Sequence, residues 1–138
     1  FSEEEFFDAI SLIRPALEIE RADNGFSLTL PNGLTSNARL QNCPDRTQPI
    51  DCRTVSIIVN LGASDRMDRE ELLGQVNELN ARDVHGRTFL NDRNQVIMRW
   101  VFIATGHETY RGFANRLIQW NAWVRFAAET LSGEENEE

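Results

Sequence analysis

Residues 95–104 read Gln95-Val96-Ile97-Met98-Arg99-Trp100-Val101-Phe102-Ile103-Ala104. Met98, Trp100 and Phe102 alternate with Ile97, Val101 and Ile103, a period of two that belongs to a strand and not to one face of a helix. Both faces of this strand are apolar. Such a strand is either covered on both sides, or covered on one and used on the other. Just before it, Asn91-Asp92-Arg93-Asn94 is a run of turn formers, and Thr88-Phe89-Leu90 opens a short partner strand. After it, Phe113, Leu117, Trp120, Val124, Ala127 and Leu131 recur at helical spacing. They predict a helix over about 108–131 with this stripe inward, ended by Gly133.

Further towards the N-terminus, Gly86 breaks a helical pattern over 68–81, with Leu72, Val76 and Leu79 inward and Leu73 on the flank. Asp68 is its N-cap and Glu71 sits at the capping-box position. Gly62 and Ser64 begin the connection into it. Val55, Ile57 and Val59 alternate with Thr54, Ser56 and Ile58 as a fourth strand. Three earlier strands carry Leu17 and Ile19, then Phe26, Leu28 and Leu30, then Leu34, Ala38 and Leu40. Asp23-Asn24-Gly25 and Asn32-Gly33 supply their turns. Residues 2–13 read as a helix capped by Ser2, with Glu5 three residues on and Phe6, Ala9, Ile10 and Ile13 inward; Pro15 stops it. The order is α-β-β-β-β-α-β-β-α. With hairpin-length connections it predicts an α+β fold, an antiparallel sheet of five or six strands with helices packed on it. Residues 1–133 form one domain, and 134–138 an acidic tail.

Composition narrows the partners. The chain has 138 residues, 41% hydrophobic and 26% charged, which suffices for one ordinary core. Its net charge of -8 argues against a nucleic-acid backbone as partner, and no apolar run is long enough to insert in a bilayer. All 14 basic residues are arginine, so Schiff-base and P-loop lysine chemistry are excluded, while bidentate carboxylate pairing is favoured.

Cys43 and Cys52 flank a loop holding two prolines and several turn formers. The even count and short spacing fit a disulfide that would contribute roughly 2–3 kcal/mol; two reduced cysteines on adjacent strand ends are the other reading. A zinc site lacks further ligands at suitable spacing. A disulfide, together with a first residue Phe1 rather than Met, points to a periplasmic or exported protein, with the cytoplasm as the alternative.

The residues that could carry chemistry do not converge. There is no nucleophile elbow, P-loop, dinucleotide fingerprint or HExxH helix. His85 reads as a turn histidine, and His107 as a loop residue beside Glu108. Glu3-Glu4-Glu5 suits the positive end of a helix. Asp92 and Asn94 lack the remaining ligands of a calcium loop. No catalytic residue, metal or cofactor is therefore expected. Asn77 and Asn80 lie one turn apart on one helix face. The expectation is that one of them hydrogen-bonds the backbone of the 83–87 junction, and that Arg87 pairs with a carboxylate.

The segment Val76-Asn77-Glu78-Leu79-Asn80-Ala81-Arg82, followed by Gly86-Arg87-Thr88-Phe89-Leu90-Asn91-Asp92, resembles a family pattern. In it, an asparagine-bearing helix runs into Gly-Arg-x-aromatic and an Asp-containing turn. The strand 95–102, the helix residues Phe113, Trp120 and Phe126, and the cysteine-rich turn before Thr54-Val55-Ser56-Ile57 fit as well. The chain is in this respect similar to the YbjN family of bacterial domains, named as candidate sensory transduction regulators. Leu79 departs from it, where the family often has an aromatic. The resemblance implies the fold of type III secretion chaperones and implies no enzymatic activity.

The last helix gives the interaction reading. At about 100° per residue, Trp123 falls at the edge of the core stripe, and Ile118 and Phe126 fall largely outside it, bordered by Arg111 and Arg125. Aromatic residues with flanking arginines are what interface centres contain. Ile118, Trp123 and Phe126 are thus expected at a homodimer or partner surface. The chain is read as a non-enzymatic protein-interaction module, a regulator or chaperone-like adaptor that binds a protein segment. The alternative is a small-molecule or lipid-binding domain with Met98, Trp100 and Phe102 lining an apolar pocket.

Overall fold

The structure is a computed structural model, and it describes residues 2–13, 17–22, 25–30, 33–45, 47–48, 50–63, 66–82, 86–104 and 109–132. Pro15, Asp23, Asn24, Asn32, Ser64, His85, His107, Glu108, Gly133 and the tail 134–138 lie outside the described residues. The elements are α1 (Glu3–Ser11), β1 (Glu18–Ala22), β2 (Gly25–Thr29), β3 (Thr35–Gln41), β4 (Thr54–Ala63), α2 (Arg69–Arg82), β5 (Arg87–Leu90), β6 (Gln95–Ile103) and α3 (Tyr110–Ser132). The strands form one antiparallel sheet in the order β1-β2-β3-β4-β6-β5. This is the α+β fold and the element order expected from the sequence.

Local chemistry sets the helix starts. Ser2 Oγ accepts the Glu5 N–H at 3.2 Å, and Glu5 Oε1 accepts the Ser2 N–H at 3.3 Å, a complete capping box. Asp68 Oδ1 accepts the Glu71 N–H at 2.8 Å at the head of α2. Thr109 Oγ1, which the sequence reading did not single out, accepts the Gly112 N–H at 2.9 Å at the head of α3.

Two expectations about strands are corrected. Gly62 does not begin the connection after β4. It sits in a bulge: Asn60 faces Ile97, Gly62 faces Val96, and Leu61 is the extra residue. Gly62 takes φ +84, and the Asn60 Oδ1 accepts its N–H at 2.7 Å, so the strand continues to Ala63. β1 is less buried than alternation suggests, because it is an edge strand and only Ile19 is partly covered.

The helices cover one face of the sheet. Phe26 and Leu28 of β2, Val55, Ile57 and Val59 of β4, and Met98, Trp100 and Phe102 of β6 all point into the core. Trp100 stacks on both Phe113 and Trp120 of α3, with centroids 5.8 and 6.0 Å apart. Phe6 of α1 stacks on Phe26 at 5.0 Å and meets Phe113 at 6.0 Å. Tyr110 Oη donates to Glu5 Oε2 at 3.1 Å and ties the heads of α1 and α3 together. The rings of Met98's neighbours Trp100 and Phe102 thus fill the space beneath α3, where the alternative reading required a ligand pocket.

Candidate functional site

One asparagine of α2 binds the backbone of β5, at Thr88 just beyond the 83–87 segment expected from the sequence. Asn80 Nδ2 donates to the Thr88 carbonyl at 2.7 Å, and Asn80 Oδ1 accepts the Thr88 N–H at 2.8 Å. The side-chain amide therefore acts as a strand partner for β5, on the edge that no strand covers. Asn77 is exposed and has no partner among the described residues. Gly86 lies so close to β6 that a Cβ there would come within 2.2 Å of the Arg99 carbonyl oxygen. Arg87 is exposed, and among the described residues no carboxylate pairs with it. In the register of β5 and β6, Arg87 stands opposite Arg99 on the outer face of the sheet. Arg69 at the head of α2 donates to the Asn91 carbonyl at 3.3 Å and to Asn94 Oδ1, so Asn94, with φ +58, belongs to a stapled turn.

The aromatic patch on α3 forms in part as expected. Trp123 and Phe126 stack with centroids 5.2 Å apart; Phe126 is exposed and Trp123 packs partly against the core. The cation beside them is Arg82, from the last turn of α2, at 5.9 Å from the Trp123 ring and 5.1 Å from the Phe126 ring. Arg125 turns away and pairs with Glu129 at 3.1 Å. Arg111 is exposed, with no cation–π contact to the pair among the described residues. Ile118 is exposed but lies eight residues from Phe126, about 12 Å along the helix, and does not join the stack. The structure therefore brings together Trp123, Phe126 and Arg82, and leaves Ile118, Arg111 and Arg125 around them. Arg82 was missed because its approach to α3 depends on helix packing. The only trace in the sequence is a basic residue in the last turn of α2.

The second surface is the other face of the sheet. Ile58, Phe89, Val101 and Ile103 are exposed there, Ile103 to 64%, while Ile97 is buried among them. The doubly apolar strand is covered once. Arg39, Arg87 and Arg99 lie on the same face. A hollow of about 460 Å³ opens over β3, β4 and β6, lined among others by Asn37, Arg39, Gln41, Ser56, Ile58 and Arg99. Arg99 Nε donates to Ser56 Oγ at 3.3 Å. Among the described residues no carboxylate lines the hollow.

Cys43 and Cys52 are joined as a disulfide that closes the loop between β3 and β4. Asn42, with φ +57, donates through Nδ2 to Thr54 Oγ1 at 2.7 Å just beyond the bridge. Within the loop, Thr47 donates its hydroxyl and its N–H to Asp45 Oδ1, which holds the Asp45 carboxyl below its ordinary value. Among the described residues no group of three or more His, Cys, Asp or Glu is placed to hold a metal ion, and no helix is long and apolar enough to cross a membrane.

Comparison with known proteins places this geometry. No family model matches the chain, and no curated protein matches it. Among solved structures it is similar to YbjN of E. coli, described as a candidate transcription regulator, with a TM-score of 0.63, 14% identity, and coverage of 91% of this chain and 84% of that one. It is similar to the Yersinia pestis type III secretion chaperone SycH, solved in complex with a stable fragment of a second protein, with a TM-score of 0.54, 15% identity, and coverage of 94% and 95%. A protein of unassigned role from Methanothermobacter thermautotrophicus gives a TM-score of 0.58 at 12% identity, with coverage of 95% and 94%. At these identities the likeness concerns fold, and the chain has a YbjN-like fold shared with a type III secretion chaperone.

Proposed function

We propose that this protein is a non-enzymatic bacterial protein-interaction module, a regulator or chaperone-like adaptor, that binds a protein segment through the α2–α3 surface. The observation that carries this reading is the stacked Trp123–Phe126 pair with Arg82 over both rings. An exposed aromatic with an aromatic neighbour and a guanidinium above it is the composition of an interface centre. Left in water, such a pair keeps apolar area hydrated that a partner would cover at about 25 cal/mol per Å². The chaperone of the same fold, solved with a protein fragment bound, supports a protein partner by analogy of fold. The disulfide supports work in an oxidising compartment, the periplasm or another exported location.

The test is capture of partners from the native cell envelope with the wild-type chain and with Phe126→Glu, each checked for an unchanged melting midpoint. The reading predicts that the captured set is lost from the variant. An identical set from both proteins removes the α2–α3 surface from the account. Light scattering on the same pair separates a second copy of the chain from a different partner: a dimer that becomes a monomer identifies self-association. Thiol titration of the denatured, unreduced protein addresses compartment, and two free thiols would remove the export argument.

A further inference from the structure

The outer face of the sheet has different chemistry from the aromatic patch, and we infer that it takes an extended protein segment bearing carboxylates. This rests on the reading of the chain as a protein-binding module and adds a second surface with a stated partner chemistry. The chain carries 22 acidic residues against 14 arginines, so a random hollow on its surface should meet acid. The hollow over β3, β4 and β6, which reaches the β1–β2 end at Ala22 and Gly25, has two guanidiniums, Arg39 and Arg99, with Asn37, Gln41 and Ser56 as neutral hydrogen-bonding neighbours and, among the described residues, no carboxylate.

Among the described residues none of Arg39, Arg87 and Arg99 has an ion-pair partner. Arg87 and Arg99 stand directly across β5 and β6 on the same face, a like-charge cross-strand pair that destabilises a sheet unless an anion lies between them. Arg99 engages Ser56 through Nε alone, so the outer edge of its planar fork is left for a bidentate acceptor.

The shape of the partner follows from register. Arg99, Val101 and Ile103 follow one another along the outer side of β6, with Ser56 opposite Val101 and Thr54 opposite Ile103. Positions two residues apart on a strand are separated by about 6.8 Å, and so are alternate side chains of an extended peptide. A segment with a carboxylate over Arg99 therefore carries its next side chain on that side onto the exposed Val101 and Ile103. A second copy laid face to face would bring arginine against arginine, and the net charge of -8 disfavours nucleic acid.

The test is an NMR titration of the full-length chain with a capped octapeptide of alternating glutamate and valine. The same peptide with lysine for glutamate, and vesicles containing phosphatidylglycerol, serve as comparisons. The inference predicts that the backbone resonances of Arg39, Arg99 and Val101, and the Nε resonances of the two arginines, shift with the glutamate peptide. Combined Arg39→Gln and Arg99→Gln should raise Kd at least about tenfold, while Arg93→Gln in the turn between β5 and β6 leaves it unchanged. Raising salt from about 0.05 to about 0.5 M should weaken binding several-fold. Equal binding of the lysine peptide, or no shift on the sheet, overturns the inference. Response to vesicles in place of the peptide also overturns it and assigns the face to a lipid surface. Loss of capture by Phe126→Glu alongside a silent sheet would leave the α2–α3 reading standing without this one; binding on the sheet with capture unaffected by Phe126→Glu would do the reverse.

Discussion

The two faces of this sheet are made by alternate residues of the same strands, and they have been given opposite tasks. On the inner face, Met98, Trp100 and Phe102 are buried against α3, with rings stacked on both sides of Trp100. On the outer face of the same β6, Arg99, Val101 and Ile103 stand in solvent beside Ile58. The hydropathy of the two rows is similar enough that composition alone does not separate them. What separates them is supply: among the described residues, α1, α2 and α3 all send apolar side chains into the core on one face, and no helix packs on the other. Apolar area on the inner row stabilises the fold. Apolar area on the outer row contributes little to it and is available for binding.

The largest expected difference between the faces is in stability. Trp120→Ala should cost about 3–5 kcal/mol, because it empties the space against Trp100, whereas Ile103→Ala should stay within about 0.5 kcal/mol of wild type in urea denaturation. Comparable losses would mean that something covers the outer face. Next in size is the loop at the end of β3 and β4. Replacing Cys43 and Cys52 by serine should lower stability by roughly 2–3 kcal/mol, read as a shift in the denaturation midpoint, with binding on the sheet face retained.

A smaller effect separates two asparagines of one helix. Asn80→Ala removes both hydrogen bonds to Thr88 and should cost about 1–2 kcal/mol in thermal melting, while Asn77→Ala should cost less than about 0.5 kcal/mol. An unchanged midpoint for Asn80→Ala would mean that β5 is held by other contacts. The smallest effect depends on pH. Burial by itself would raise the Glu5 carboxyl, but hydrogen bonds from Tyr110 Oη and Ser2 outweigh it and hold the group below its ordinary value. A lowered folded-state value means stability that is complete above the ordinary glutamate range and is lost as the pH falls through it. Glu5→Gln should therefore lower the melting midpoint at neutral pH, with the gap closing in acid. A gap that persists in acid would show that the carboxylate charge is not involved.

Much of this architecture is legible in the chain because it depends on local periodicity. The alternation in 95–103 assigns each residue to a face, and the Ser2/Glu5 and Asp68/Glu71 pairs mark two helix starts. The stacking of Trp123 on Phe126 follows from their three-residue spacing on α3. What is not legible depends on residues far apart in sequence. Arg82 reaches the aromatic pair only because α2 lies beside α3. The hollow requires the register of β3, β4 and β6, which brings Arg39 and Arg99 to one place across sixty residues of chain. The bulge at Leu61 is hidden because Gly62 reads equally well as a strand end or as a strand interruption. The arginine pair on the outer face is hidden for the same reason: only the pairing register places Arg87 opposite Arg99.

The central claim is that the chain works by docking protein segments on surfaces its core does not use. Hydrogen exchange of the full-length chain, free and with the partner captured by the wild type, tests it most directly. The account predicts new protection around Trp123 and Phe126 at the α2–α3 surface, with the exchange of the inner core unchanged. Protection that leaves this surface untouched, and falls instead on elements with no exposed apolar side chains, would contradict it.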